Sequence, residues 1–171
     1  MAMLNVNQRR ALWRFAIFGI LGMFFEVCFM AYGVAQQGNW SLRGASSPWM
    51  FPIYGLIGLV LEPLGAPMRA RRIPLPLRAL VYVIVFYVVE FTSGSLYLWL
   101  GINQRGVDNM HTVWDYGWTK YHLNGQVSLD MLPFWYVFCL SLEFLYRRVD
   151  QCAVALALRK PADELLNEVR S

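Results

Sequence analysis

The stretch ALVYVIVFYVVEFTSGSLYLWL, residues 79–100, contains a single charged residue, Glu90. An α-helix needs ~20 apolar residues to cross the hydrocarbon core of a membrane, so this stretch is long enough to span one. A carboxylate inside such a helix costs about 2–3 kcal/mol even on forgiving insertion scales. The stretch therefore predicts a membrane helix with an acid that requires a functional explanation.

Three further stretches have the same design, and each is interrupted by one glutamate. They are residues 11–35 with Glu26, residues 49–67 with Glu62, and residues 129–146 with Glu143. The chain is 57% hydrophobic and 15% charged, and its charges are concentrated in loops and ends. Soluble proteins instead distribute charge along exposed helix faces. We therefore predict an all-α polytopic membrane protein with four transmembrane helices, the third formed by residues 79–102.

The basic residues predict the orientation of these helices. Most of them precede the first stretch, join the second to the third, or follow the fourth: Arg9, Arg10, Arg14, Arg69, Arg71, Arg72, Arg78, Arg147, Arg148, Arg159, Lys160 and Arg170. By the positive-inside rule, both termini are cytoplasmic, and the 36–48 and 103–128 loops face outward from a plasma (inner) membrane. The net charge of +4 then indicates membrane lipids as partners and no nucleic acid. We expect residues 1–149 to form the transmembrane domain and residues 150–171 a short cytoplasmic helical tail.

Two of the four glutamates are predicted to lie deep in the membrane. Glu26 lies twelve residues after Arg14, and Glu90 lies twelve residues after Arg78. At about 1.5 Å per residue, each acid is ~18 Å beyond its arginine, near the middle of the membrane. Glu26 and Glu90 are therefore the two acids with the highest cost of burial.

The other two acids have arginines close by in sequence. Glu62 lies seven residues before Arg69, and Glu143 lies four residues before Arg147. The second spacing is that of an i,i+4 ion pair on a helix. Near the inner interface, snorkelling and pairing make such acids inexpensive.

Glycines accompany the acids of the first two stretches. Residues 19–26 read GILGMFFE and residues 55–62 read GLIGLVLE, so both contain Gly-x-x-Gly-x-x-x-Glu. Small residues let membrane helices approach closely, and an acid on the same face points at neighbouring helices. This pattern is equally typical of a functional acid and of a packing groove with a hydrogen-bonded acid.

Motifs for catalysis or cofactor binding are missing from the sequence. It has no glycine-rich phosphate loop, no Gly-x-Ser-x-Gly elbow and no His-Glu-x-x-His motif. The spacing of His111, Asp115 and His122 matches no standard metal site. We therefore expect no metal and no cofactor.

Several short motifs resemble a known membrane protein family. They are FEV at residues 25–27, FPIYG at 51–55, LE at 61–62, EFTSG at 90–94, WDY at 114–116 and NG at 124–125. Their order and spacing resemble the bacterial family described as "putative ABC-transporter type IV" and the animal transmembrane protein 229 family, over residues 14–138. The family has a Gly-Pro pair where this chain has Pro48-Trp49, so the outer turn differs.

The resemblance implies a set of polar residues in the outer half of the protein. It adds Arg43, Tyr54, Asp115, Tyr116 and Asn124 to the two deep acids. With Glu26 and Glu90 as the floor, these residues lead to the hypothesis of an outward-facing polar pocket. The aromatic segment around Asp115 is then its lid.

Three functions are compatible with these features. The first is transport, in which Glu26 or Glu90 handles a proton, a cation or a small solute, within a homodimer. The second is an enzyme acting on a lipid or isoprenoid headgroup, with Asp115 or Glu90 as general base and Arg43 or Lys120 holding a phosphate. The third is an accessory or scaffold subunit whose acids lock helices together. The missing nucleophile and metal motifs argue against the enzyme.

Overall fold

The fold is a bundle of four long helices. A computed structural model describes residues 4–102 and 113–158. They form α1 (Val6–Gln36), α2 (Met50–Ala70), α3 (Leu75–Trp99) and α4 (Leu132–Leu158), with β1 (His122–Leu123) and β2 (Val127–Ser128) before α4. All four helices are long and apolar enough to cross a membrane. The prediction of an all-α protein with four membrane helices is confirmed.

The helix ends differ from the predicted spans in two places. α1 begins at Val6 and not at residue 11, because Asn5 and Gln8 form a capping box with two hydrogen bonds of 2.9 Å. α4 continues without a break to Leu158, past the predicted domain boundary at residues 149–150. Residues 159–171 of the predicted tail lie outside the described residues. The polar ends therefore extend the helices beyond their apolar stretches.

The glycine motifs bring α1 and α2 together, as their pattern indicates. Gly19 lies against the Phe51 ring, and Gly55 lies against the Phe15 ring. A Cβ on Gly58 would lie 2.7 Å from the backbone oxygen of Arg14, so at this point only glycine fits. α1 accordingly has its most extensive contact with α2. The motifs thus account for the close packing of this helix pair.

One end of the bundle, which we call the arginine end, is held by ion pairs. Arg10 of α1 pairs with Asp150 of α4. Arg69 pairs with Glu62 at 2.7 Å, and both lie on α2. Arg78 of α3 pairs with Glu143 of α4 at the same distance. Every helix of the bundle contributes at least one residue to these ion pairs.

The prediction that Glu143 pairs with Arg147 is wrong, because Glu143 pairs with Arg78. Its carboxylate accepts hydrogen bonds of 2.7 and 2.9 Å from Arg78 and one of 2.6 Å from the Tyr82 hydroxyl. Glu143 is 7% exposed and faces the other helices, whereas Arg147 is exposed. The fork-shaped guanidinium of Arg78 donates to both oxygens of the Glu143 carboxylate. Residue spacing along α4 alone could not indicate a partner on α3.

Residues 113–128, which precede α4, fold into a compact segment that we call the lid. Its two strands pair through a turn at Asn124 and Gly125, whose φ values are 52° and 68°. Positive φ at both central positions is the reason for an Asn-Gly turn. The Gln126 side chain is buried against Gly94 of α3, and its backbone oxygen accepts a 2.8 Å hydrogen bond from the Trp114 indole. The lid is therefore fixed to the end of α3.

Candidate functional site

A cavity of about 650 Å³ lies at the opposite end of the bundle from the arginine end. Residues from the second half of α1, the first turns of α2 and α4, residues 45–48 and the lid surround it, and Glu90 reaches it from α3. This volume is within the range of small-molecule binding sites. Five of the predicted residues line it: Glu26, Tyr54, Glu90, Asp115 and Tyr116.

Glu90 is the most deeply buried acid of the cavity, with 3% of its surface exposed. The Tyr116 hydroxyl donates a 3.1 Å hydrogen bond to its Oε1. Its Oε2 is buried and has no hydrogen-bond partner among the described residues. Burial raises the pKa of the Tyr116 phenol, so this loop tyrosine stays protonated and acts as a donor. One oxygen of the Glu90 carboxylate thus has no partner among the described residues.

Glu26 approaches the cavity from α1 and is half-buried. Ser46 donates a 2.8 Å hydrogen bond to its Oε2. The loop after α1 can reach this far because Gly44 rests on the backbone oxygen of Val27, where a Cβ would overlap. Tyr54 of α2 lies beside the same carboxylate. Two glutamates from different helices therefore share one cavity.

Asp115 lines the cavity and also shapes the lid. Its Oδ1 accepts a 2.7 Å hydrogen bond from the backbone N–H of Gly117, which is an Asx-type turn. The same oxygen lies against Gly125, where a side chain would collide with it. Tyr116 donates its backbone N–H to the Gly125 oxygen at 2.8 Å. The WDY and NG motifs are thus in direct contact.

Two predicted site residues lie elsewhere. Arg43 is exposed in the loop after α1 and does not line the cavity. Asn124 is exposed at the tip of the lid, where its positive φ gives it a role in the turn. The part of the hypothesis that placed these two side chains in the pocket does not agree with the structure.

Sequence reasoning missed the aromatic wall of the cavity. This wall consists of rings from α1 and α4: Phe25, Phe29, Phe134, Trp135 and Phe138. The Phe29 and Phe134 rings lie 4.9 Å apart, and the Phe25 and Phe138 rings 6.1 Å. The i,i+4 spacing on both helices was an available signal, although it is equally common on lipid-facing surfaces. Ser46 was also missed, and no motif indicates it.

The charge of the cavity is uniformly acidic. Glu26, Glu90 and Asp115 line it, and none of its described lining residues is Lys or Arg. No group of three or more His, Cys, Asp or Glu side chains that could hold a metal ion occurs in the described part of the chain. A site with these properties is suited to a positively charged or protonated occupant.

Fold and site together define a class: a multipass α-helical membrane protein with an acidic, aromatic cavity at one end of its bundle. The sequence model of the family described as "Putative ABC-transporter type IV" matches residues 13–161, and the chain belongs to this family. The resemblance to that family is confirmed, while the relation to the animal transmembrane protein 229 family stays a prediction. No solved structure matches the chain.

Proposed function

We propose that this protein is a transport-type membrane protein that binds a proton, a cation or a small cationic solute at Glu26 and Glu90. One observation carries the proposal. The buried Oε2 of Glu90 has no hydrogen-bond partner among the described residues, in a cavity whose described lining has no basic side chain. The family description is consistent with transport.

The energetics of burial favour an exchange of cations at this site. An ionised carboxylate without a countercharge is too costly in an apolar interior, so it is accommodated either as the neutral acid or with a bound cation. A cation that enters the cavity then displaces a proton from a carboxyl group. This coupling is the basis of proton-linked transport.

The lid supplies a route for opening the site. Tyr116 is the only hydrogen-bond donor to the Glu90 carboxylate among the described residues, and it belongs to the lid. Movement of residues 113–118 away from the helices would break this hydrogen bond, together with those that Trp114 and Tyr116 form with the rest of the lid, and would uncover the acid. Because four helices form a thin wall for a pathway, a second copy of the chain is part of this proposal.

The alternative functions have less support from the geometry. A lipid-headgroup enzyme requires a basic side chain for the phosphate, but Arg43 and Lys120 do not line the cavity. Hydrogen bonds that lock helices together are formed by Glu143, at the arginine end. Neither alternative explains the unpartnered oxygen of Glu90.

Reconstituted liposomes provide the test. The protein is placed in vesicles that contain a pH-sensitive dye, with the membrane potential clamped, and Na⁺, K⁺, tetramethylammonium or benzyltrimethylammonium is added outside. We expect at least one cation to drive proton movement in the native protein. Glu90→Gln abolishes this movement and Glu26→Gln reduces it at least tenfold.

Glu62→Gln is the matched control. It makes the same change in an apolar helix, but the Glu62 side chain is 44% exposed, pairs with Arg69 and does not line the cavity. This variant should retain native proton movement. Rates equal to those of empty vesicles, or unchanged rates in Glu90→Gln, would refute the proposal.

A further inference from the structure

We infer that the ligand of the cavity is an organic cation with an apolar body, such as an amine or quaternary ammonium carrying an aromatic or branched group. This inference rests on the proposed function and names its substrate class. It combines three properties of the cavity: its acidic charge, its aromatic wall and its volume.

The charge selects a cation and rejects an anion. Glu26 and Glu90 project from different helices into the same space, together with Asp115 of the lid. Ser46 donates one hydrogen bond to Glu26, and Tyr116 donates one to Glu90. The Oε2 of Glu90 has no described partner and is the atom that we assign to the ligand. An anion would meet carboxylates without any basic side chain from the described lining.

The aromatic wall selects an organic cation over a metal ion. Ring faces attract ammonium groups, and this attraction increases when water is excluded. Tyr54, Trp114, Tyr116 and Trp118 also line the cavity, in addition to the rings of the wall. A hard metal ion instead requires about six or more oxygen ligands close together. The described residues contain no group of three or more His, Cys, Asp or Glu side chains that could begin such a site.

The volume leaves room for an occupant much larger than a proton or a bare ion. A cavity of about 650 Å³ accommodates a small organic molecule. Most of the lining side chains are apolar, so an occupant with an apolar body makes contacts that a hydrated ion cannot make. The two acids then recognise the charge, and the rings recognise the body.

The wall also indicates a route for such a ligand. Phe25 and Phe134 line the cavity, yet they are 47% and 43% exposed on the surface of the bundle. These two rings, one from α1 and one from α4, are thus only partly covered by the rest of the protein. Since these helices are membrane helices, a cation that partitions into the bilayer can enter by displacing ring side chains.

Binding measurements with three probes separate charge from apolar body. Benzyltrimethylammonium has both, tetramethylammonium has only the charge, and 2-phenylethanol has only the ring. Titration of the purified full chain in detergent is followed by tryptophan fluorescence, because Trp114, Trp118 and Trp135 line the cavity. We expect benzyltrimethylammonium to bind at least tenfold more tightly than either other probe. Equal affinity of the three probes would overturn the inference.

Two pairs of variants assign the binding to this cavity. Glu90→Gln weakens benzyltrimethylammonium binding at least tenfold, whereas Glu62→Gln leaves it unchanged. Phe138→Leu, which removes one ring of the wall, weakens it about threefold to thirtyfold, the range expected for one lost ring face. Phe144→Leu is its control, because Phe144 lies on α4 with 65% exposure and does not line the cavity. Equal losses in each pair would contradict a site in the cavity.

The two proposals can fail separately. If Na⁺ or K⁺ drives Glu90-dependent proton movement while benzyltrimethylammonium neither binds nor drives it, the substrate class is wrong and the transport proposal stands. If no cation drives Glu90-dependent proton movement, the transport proposal is wrong. Tight Glu90-dependent binding of benzyltrimethylammonium without proton movement would then retain a cation-binding cavity in a protein that does not transport.

Discussion

The two ends of the bundle treat their acids in opposite ways. At the arginine end, Glu62, Glu143 and Asp150 each pair with an arginine. At the cavity end, Glu26 and Glu90 receive hydrogen bonds from hydroxyl groups, and no arginine or lysine is among the described lining residues. Acids of the same type therefore serve as structural links at one end and form an acidic cavity at the other.

The role of an acid in a membrane helix therefore depends on the groups that it contacts. Glu90 and Glu143 are both buried, at 3% and 7% exposure. Glu143 has both oxygens occupied by Arg78 and Tyr82, whereas Glu90 has one oxygen free of described partners. Under the proposed function, the second arrangement is the one that leaves a group for a ligand. Stability measurements at the two ends can therefore test the distinction directly.

The largest expected effect is the loss of the Arg78–Glu143 pair. Arg78→Leu leaves the buried Glu143 carboxylate without its main partner, which costs about 3–5 kcal/mol in free energy of unfolding. The midpoint of thermal unfolding in detergent, followed by circular dichroism, should fall markedly. The double variant Arg78→Leu with Glu143→Leu should recover much of the loss, because no charge is then left unpaired. An unchanged midpoint in the single variant would show that this ion pair does not hold the arginine end together.

A smaller effect is expected from the close contact between α1 and α2 at Gly58. Gly58→Ala places a Cβ 2.7 Å from the Arg14 backbone oxygen, so α1 and α2 must move apart. Overpacking of this kind costs about 1–3 kcal/mol. Gly33→Ala is the matched control on α1, because no described atom lies within 4 Å of its Cβ position. Similar midpoints for both variants would remove the glycine contact from the explanation of this fold.

Much of the fold could be predicted because its determinants are local in the sequence. Apolar stretches of membrane length predict the four helices, and the Gly-x-x-Gly-x-x-x-Glu motifs indicate the α1–α2 contact. The partner of Glu143 could not be predicted, since it depends on where the start of α3 lies against α4. Spacing along one helix carries no information on that placement.

The candidate site was predicted in part for the same reason. Depth along the helices singled out Glu26 and Glu90, and the resemblance added Tyr54, Asp115 and Tyr116, all of which line one cavity. Arg43 and Asn124 came from the same resemblance and do not line the cavity. The wall depends on rings from α1 and α4 that meet only in three dimensions, so single-helix spacing could not distinguish them from rings facing lipid.

The smallest change in the unfolding midpoint is expected for Glu90→Gln, and this variant gives the most information about how the two ends of the bundle differ. Glu90→Gln replaces a carboxyl group that has one oxygen without a described partner, while an amide still accepts the Tyr116 hydrogen bond. We expect the unfolding midpoint to stay unchanged or to rise, since a residue kept for function is commonly unfavourable for stability. Glu143→Gln, the same substitution at the arginine end, should lower the midpoint by weakening a charge-assisted pair. If Glu90→Gln destabilised the protein as much as Glu143→Gln, both acids would be structural and the distinction between the two ends would be lost.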